Sequence, residues 1–286
     1  MINAGNMQMD MALKTQPLAI NRILAEARDL FGFKTDYEDV QLQRLPEVLK
    51  EARRFVDVGA NRGLYSYVAN AILTDSEIVA VEADPNLSHR LQEAMKTWPN
   101  PNRNRLRVLA CAAGDVAATL PFTVGLEDTL GSFTRSDYDV GGSEIVNVPV
   151  RPLDEAVTPE RRTVFKIDIE GFEYRALVGA MTHLSQPDCI LVLELHAWGD
   201  AAINKYPHHV LGFLRQRGFS VERFGEAHQF MCRRADPAGS WLGYLKNAPK
   251  FRAKHLLRQA GVRELIYRIT GRSEASALRQ RSGVKH

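Results

Sequence analysis

The strongest constraint on the fold is an apolar strand that runs straight into a glycine turn, Phe55-Val56-Asp57-Val58-Gly59-Ala60-Asn61-Arg62-Gly63. Strand, turn and helix start in so short a span form the opening unit of a nucleotide-binding α/β fold. Dinucleotide sites carry G-x-G-x-x-G at this point, and its amides and helix N-terminus receive a pyrophosphate. Here the glycines stand four apart, Gly59 and Gly63, with Asn61 between them and the Asp57 carboxylate just before the turn. An anion in that place repels a pyrophosphate. It suits a ligand presenting an ammonium group beside a carboxylate, as the amino-acid end of S-adenosylmethionine does.

A second acidic residue follows at the expected distance. Ile78-Val79-Ala80-Val81 is a continuous apolar run of the kind buried parallel strands show, and it ends in Glu82, 25 positions after Asp57. Ribose-gripping carboxylates stand about 20 residues beyond the glycine turn. One carboxylate offers acceptors for both ribose hydroxyls. Glu82 also has a plainer reading, as a charge near the start of the helix that Asp84-Pro85 opens. NAD enzymes share such an acid, so Glu82 speaks for the fold more than for the chemistry.

Strand and helix patterns alternate through the middle of the chain. Strands are predicted at 54–58, 78–82, 106–111, 118–124, 145–150, 163–168, 189–195, 219–224 and 228–233, and helices at 63–72, 86–96, 172–183 and 204–217. This order predicts a parallel sheet with helices on both faces, ending in an antiparallel pair. Apolar spacing in Pro17–Leu30 and Val40–Leu49 predicts a helical lead-in. The expected organisation is a lead-in over 1–50, a ligand-binding domain over 51–235 and an extension over 236–286. The connector from Gly125 to Ser143 is long and rich in Gly, Ser, Asp and Thr, which suits a mobile segment or a lid.

Composition narrows the class. At 286 residues, 45% apolar and 25% charged, the chain has the make-up of a soluble globular protein. Its net charge of +3 argues against a general nucleic-acid binder. Cys111, Cys189 and Cys232 stand singly in apolar contexts, without metal spacing or disulfide pairing. No leader pattern and no run of eighteen apolar residues is present, so a cytoplasmic location is expected. From Lys246 onward, eleven Lys and Arg against two Glu give a net charge of +9, leaving −6 for the remainder. Val262, Leu265, Ile266 and Ile269 form one stripe of a short helix closed by Gly271. Such a tail docks on its own domain, on a second copy of the chain, or on an anionic membrane surface or acidic partner.

The other dense constellation is Lys166-Ile167-Asp168-Ile169-Glu170-Gly171-Phe172-Glu173. Asp168 and Glu170 at a strand end can face one side, and strand C-terminal ends are where open α/β sheets bind ligands. Two carboxylates there raise one pKa, which serves a general base or a divalent cation. Either residue could instead cap the helix expected from Phe172. The following strand ends in Glu194-Leu195-His196, and His196 has an ordinary pKa suited to taking a proton near neutrality. Asp168, Glu170 and His196 are the candidate catalytic group, with a metal admissible but not obligatory.

Taken together, D-V-G-A-N-R-G at 57–63, Glu82, K-I-D-I-E-G-F-E at 166–173 and E-L-H at 194–196 resemble the FkbM family of S-adenosylmethionine-dependent methyltransferases. The resemblance covers about residues 50 to 235. It implies a Rossmann-like, mostly parallel seven-stranded sheet. It places the amino-acid part of the cofactor near Asp57, Gly59, Asn61 and Gly63, ribose on Glu82 and adenine near Cys111 and Ala112. It also implies methylation of a hydroxyl on a sugar, glycolipid or secondary metabolite. The family usually follows the ribose carboxylate with proline, whereas Ala83-Asp84 intervene here, and the basic tail lies outside the match. An NAD(P)-dependent oxidoreductase would need the missing pyrophosphate turn. A nucleic-acid methyltransferase using the tail is disfavoured by the acidic body.

Overall fold

The computed structural model describes residues 20–32, 36–50, 52–124, 144–196, 207–225 and 228–234. The chain divides into two units, Met1–Arg234 and Ala235–His286, and every described residue belongs to the first. The 125–143 connector and the tail with its Val262, Leu265, Ile266 and Ile269 stripe therefore lie outside the described residues.

Among the described residues, ten strands build two sheets. In chain order they are β1 (Arg54–Val58), β2 (Glu77–Glu82), β3 (Arg105–Ala110), β4 (Ala112–Ala113), β5 (Ala118–Val124), β6 (Glu144–Arg151), β7 (Thr163–Ile167), β8 (Ile190–Glu194), β9 (Phe219–Arg223) and β10 (Gln229–Arg234). The main sheet has the order β3-β2-β1-β7-β8-β10-β9. The pairs β2–β3, β1–β2, β1–β7 and β7–β8 are parallel, and β10 runs antiparallel to both β8 and β9. The chain winds outward from β1 to β3 and then returns to place β7 on the other flank of β1. The order thus reverses between β1 and β7, and that crevice is where open α/β sheets receive ligands. The Rossmann-like fold expected from the sequence is the one observed.

The central strands are buried on both faces, which is why they read as continuous apolar runs. Phe55, Ile78, Val164 and Val192 pack on one side with Leu24, Leu42, Leu45 and Val68. These come from helix α1 (20–31), α2 (Asp36–Leu49) and α3 (Leu64–Ile72). Val56, Val79, Phe165 and Leu191 alternate onto the other side, against Ala176, Leu177, Leu184, Val210 and Leu214. The lead-in helices therefore share the core of the sheet.

Two sequence expectations need correction. Strands 118–124 and 145–150 do not join the main sheet; β5 and β6 pair antiparallel and, with β4, form a separate three-stranded sheet. Their mixed burial is the reason: only one face, with Phe122, Val148 and Val150, is covered, against Ala112 and Phe172. The helix expected over 172–183, which follows the short α5 (Leu153–Ala156), is split into α6 (Glu173–Val178) and α7 (Met181–Leu184). At the break, a side chain on Gly179 would come 1.9 Å from the Gly114 carbonyl oxygen, and Asp154 takes the amides of Thr182 and His183 instead.

Helix α4 (Pro85–Thr97) begins on a cap the sequence left open. Asp84 Oδ1 accepts from the amides of Asn86 and Leu87 at 2.7 and 3.1 Å, with Pro85 at the first helical position. Asp84→Ala is expected to cost about 1 kcal/mol, seen as a fall of about 2–4 °C in melting temperature. An unchanged melting curve would show that the cap is idle.

Candidate active site

The parallel register aligns the strand ends. Val58 pairs with Val81 on one side and with Ile167 on the other, and Ile167 pairs with Leu193. The next residue along each strand is Glu82, Gly59, Asp168 and Glu194, one row across the carboxyl edge. Cys111 follows the β3 residue Ala110, which pairs with Glu82. Residues from distant parts of the sequence are thus brought to one edge by pairing alone.

Asp57 and Ala80 occupy the α3-facing side of the sheet, and Asp57 is 1% exposed. Its Oδ2 accepts from the amide and hydroxyl of Ser66 at 3.0 and 2.8 Å, fastening the first turn of α3, while Oδ1 has no hydrogen-bond partner among the described residues. Burial pushes its pKa up, against the opposing pull of Lys166 and Ser66. Asp57 therefore holds the turn from behind.

The turn itself is left-handed at three residues, with φ of 81° at Gly59, 52° at Asn61 and 94° at Gly63. Gly59 meets the end of β7, where a β-carbon would lie 1.9 Å from the Asp168 carbonyl oxygen. Gly63 lies against Leu91 and Trp98 at 2.4 and 2.9 Å by the same measure. The Asn61 amide donates to Glu82 Oε2 at 2.7 Å, and Glu82 Oε1 accepts from the Asp84 amide at 2.8 Å. Glu82 thus ties the turn to the start of α4 and is not itself the helix cap. Each of its oxygens retains a second lone pair. The Asn61 side-chain oxygen is buried without a hydrogen-bond partner among the described residues. Cys111 and Ala112 are both buried, at 4% and 6% exposure, beneath this end of the sheet.

Burial raises the Glu82 carboxyl to about 7, opposed by the bonds from Asp84 and Asn61. The native chain consequently holds a proton there that an unfolded chain releases above its ordinary 4.5, so Glu82 contributes less to stability as pH climbs from 4.5 to about 7.

On the other flank, Asp168, Glu170 and His196 do come together. His196 Nε2 lies 3.9 Å from Asp168 Oδ1 and 3.8 Å from Glu170 Oε2. Neither acid caps the helix from Phe172; Glu170 sits in the turn with φ 52°. Three further residues complete the group. Glu173, 1% exposed, accepts from the Gly171 amide at 2.9 Å and faces His196 Nδ1 at 3.1 Å through the same oxygen. Glu194 Oε1 stands 3.8 Å from His196 Nε2. Lys166 donates to Asp168 Oδ2 at 3.0 Å and lies 4.4 Å over the Tyr65 ring. These residues stand in the motifs quoted above, but spacing alone did not assign them roles.

The expectation that His196 titrates near neutrality is corrected. Burial disfavours its charged form, yet Glu173, Asp168 and Glu170 outweigh burial and push it up to about 9. His196 is therefore an imidazolium among carboxylates at pH 7. Desolvation of Lys166 is likewise overcome by Asp168, Asp57 and Glu194, so its pKa is raised.

No helix among the described residues is long and apolar enough to cross a membrane. Residues 57–221 match the family described as Methyltransferase FkbM domain. Comparison with curated proteins gives no match. Among solved structures the chain is similar to a methyltransferase FkbM from Methylobacillus flagellatus KT, at 17% identity and a TM-score of 0.45, covering 77% of this chain and 58% of that one. A methyltransferase from Geobacter sulfurreducens shows 14% identity and a TM-score of 0.43, with 82% and 100% covered. The Podospora anserina methyltransferase PaMTH1, in an SAH-bound structure, shows 12% identity and a TM-score of 0.39, with 82% and 98% covered. The chain thus spans 58% of the length of the Methylobacillus protein.

Proposed function

The chain belongs to the FkbM methyltransferase family, and from that premise we propose that it moves a methyl group from S-adenosylmethionine to a hydroxyl of a sugar, glycolipid or secondary metabolite. The observation that carries this reading is the use already made of the turn amides. Asn61 N is bound to the Glu82 carboxylate and Ser66 N to Asp57, so the donors a pyrophosphate would need face anions of the protein itself. A neutral ribose and an ammonium group fit that surface where a dinucleotide does not. The unpartnered Asn61 oxygen is an acceptor ready for such a ligand.

When bound, S-adenosylmethionine supplies an electrophilic methyl on a sulfonium. The residues of the chain do the rest. Glu82 binds the ribose hydroxyls, and the Gly59–Gly63 turn admits the amino-acid end. The acids at the ends of β7 and β8 would orient the acceptor hydroxyl toward the methyl that the cofactor supplies. A carboxylate of Asp168 or Glu170 would take the hydroxyl proton as the oxygen is methylated, with S-adenosylhomocysteine left as the other product. Positioning and one base supply the rate. His196, positively charged, holds these carboxylates in place.

Calorimetry with S-adenosylhomocysteine and with NADH tests the assignment: homocysteine-derivative binding without NADH binding is expected, and the reverse would sink it. Affinity should also follow Glu82. Its anion accepts from ribose, so affinity for S-adenosylhomocysteine rises about tenfold from pH 6 to pH 8, through the Glu82 value of about 7. In Glu82→Gln that rise should vanish. A pH profile identical in the variant would remove Glu82 from the ribose.

A further inference from the structure

Three residues at the ends of β7 and β8 are each held from behind by a buried neighbour. Lys166, 4% exposed, donates to Asp168 Oδ2 at 3.0 Å. Gln229, fully buried on β10, donates to Glu194 Oε2 at 3.2 Å. Glu173 faces His196 Nδ1 at 3.1 Å, which sets Nδ1 as the donor and turns Nε2 the other way. The atoms then presented toward one point are Asp168 Oδ1, Glu194 Oε1 and His196 Nε2. They come from the ends of two parallel strands, aligned by the register in which Ile167 pairs with Leu193.

These three residues offer atoms that all lie within 4.8 Å of one another. Nε2 is 3.9 Å from Asp168 Oδ1 and 3.8 Å from Glu194 Oε1, too far for hydrogen bonds. Donor atoms sharing an ion at bond lengths of about 2.0–2.4 Å stand roughly 3–4 Å apart. A histidine whose second nitrogen is bound to a carboxylate, beside acids that are themselves hydrogen-bonded, is the usual outer arrangement of a metal site. The surrounding charge agrees: Asp168, Glu170, Glu173 and Glu194 gather round the His196 ring, with Lys166 paired to Asp168.

We propose that Asp168, Glu194 and His196 bind one divalent cation through mixed oxygen and nitrogen ligands. The sequence had suggested Asp168 and Glu170 as the pair for a cation; the geometry transfers the second acid to β8. His196 enters as neutral imidazole, releasing its proton as the ion binds. If the methyl-transfer reading holds, on which this part rests, the ion would seat the acceptor hydroxyl and ease its deprotonation.

Mn²⁺ is the probe. The full chain, stripped with chelator, is titrated with MnCl₂ at pH 8 while free Mn²⁺ is read by electron paramagnetic resonance. One bound Mn²⁺ per chain is expected. Glu194→Gln and Asp168→Asn should each weaken binding at least tenfold. Gln229→Leu, which removes only a backing residue, should weaken it about 10- to 100-fold. Melting curves show that each variant is folded. No stoichiometric binding, or binding that all three variants leave unchanged, overturns the proposal. S-adenosylhomocysteine affinity is measured separately. Mn²⁺ binding that depends on these residues in a chain that ignores the homocysteine derivative supports the cation site and sinks the methyl-transfer reading. The opposite pair of results sinks only the cation site.

Discussion

Gly59→Ala should destabilise the protein by about 3–5 kcal/mol, lowering the melting temperature by roughly 6–20 °C. Two costs combine. At φ 81° a β-carbon is strained whatever the space around it, at about 1–3 kcal/mol. This one would also stand 1.9 Å from the Asp168 carbonyl oxygen, which is backbone and cannot rotate aside. The Asp168 amide is bonded to the Val58 carbonyl at 3.0 Å, so relief means parting β1 from β7 at the point where both halves of the site meet. The variant should lose affinity for S-adenosylhomocysteine even where it remains folded. A melting point within a degree of wild type would show that the turn yields more easily than its packing implies.

Asp168→Asn is the second large effect, and its signature is a division between chemistry and binding. Turnover on the acceptor that the wild type methylates should fall by about 10²–10⁴, the usual contribution of a positioned acid or base. Affinity for S-adenosylhomocysteine should remain within about twofold, because Glu82 stands on the other flank of β1 and the Gly59 turn meets the Asp168 backbone, which the substitution keeps. The amide keeps the shape but loses the charge facing Lys166 and His196. Wild-type turnover in this variant would make the carboxylate structural.

The sheet and its working edge were legible because buried parallel strands announce themselves: Phe55–Val58, Ile78–Val81 and Ile190–Leu193 are unbroken apolar runs that stop at a polar residue. The second sheet was not legible. Alternation in β5 and β6 marks strands but does not say which sheet they join, and their partner β4 is two residues long. Within the site, Asp57, Glu82, Asp168, Glu170 and His196 stood out as charges at strand ends. Glu173, Lys166 and Gln229 did not, because their parts depend on contacts across strands and turns. The His196 shift belongs to the same class: it needs Glu173, Asp168 and Glu170 from one segment gathered round a ring carried by the next strand, which no local pattern records. Asp57 shows the limit in the other direction. Its position before the turn was visible, but its bond to Ser66, nine residues on, required the helix to fold back over the strand.

One row of strand ends, from Glu82 through Gly59 to Asp168, should receive S-adenosylmethionine with its methyl toward the acidic group. A crystal structure of the chain soaked with S-adenosylhomocysteine tests it most directly. Both ribose hydroxyls should lie within hydrogen-bond distance of the Glu82 carboxylate, the amino-acid end over the Gly59–Gly63 turn, and the sulfur facing Asp168. A ligand lodged elsewhere, or a ribose turned away from Glu82, would contradict it.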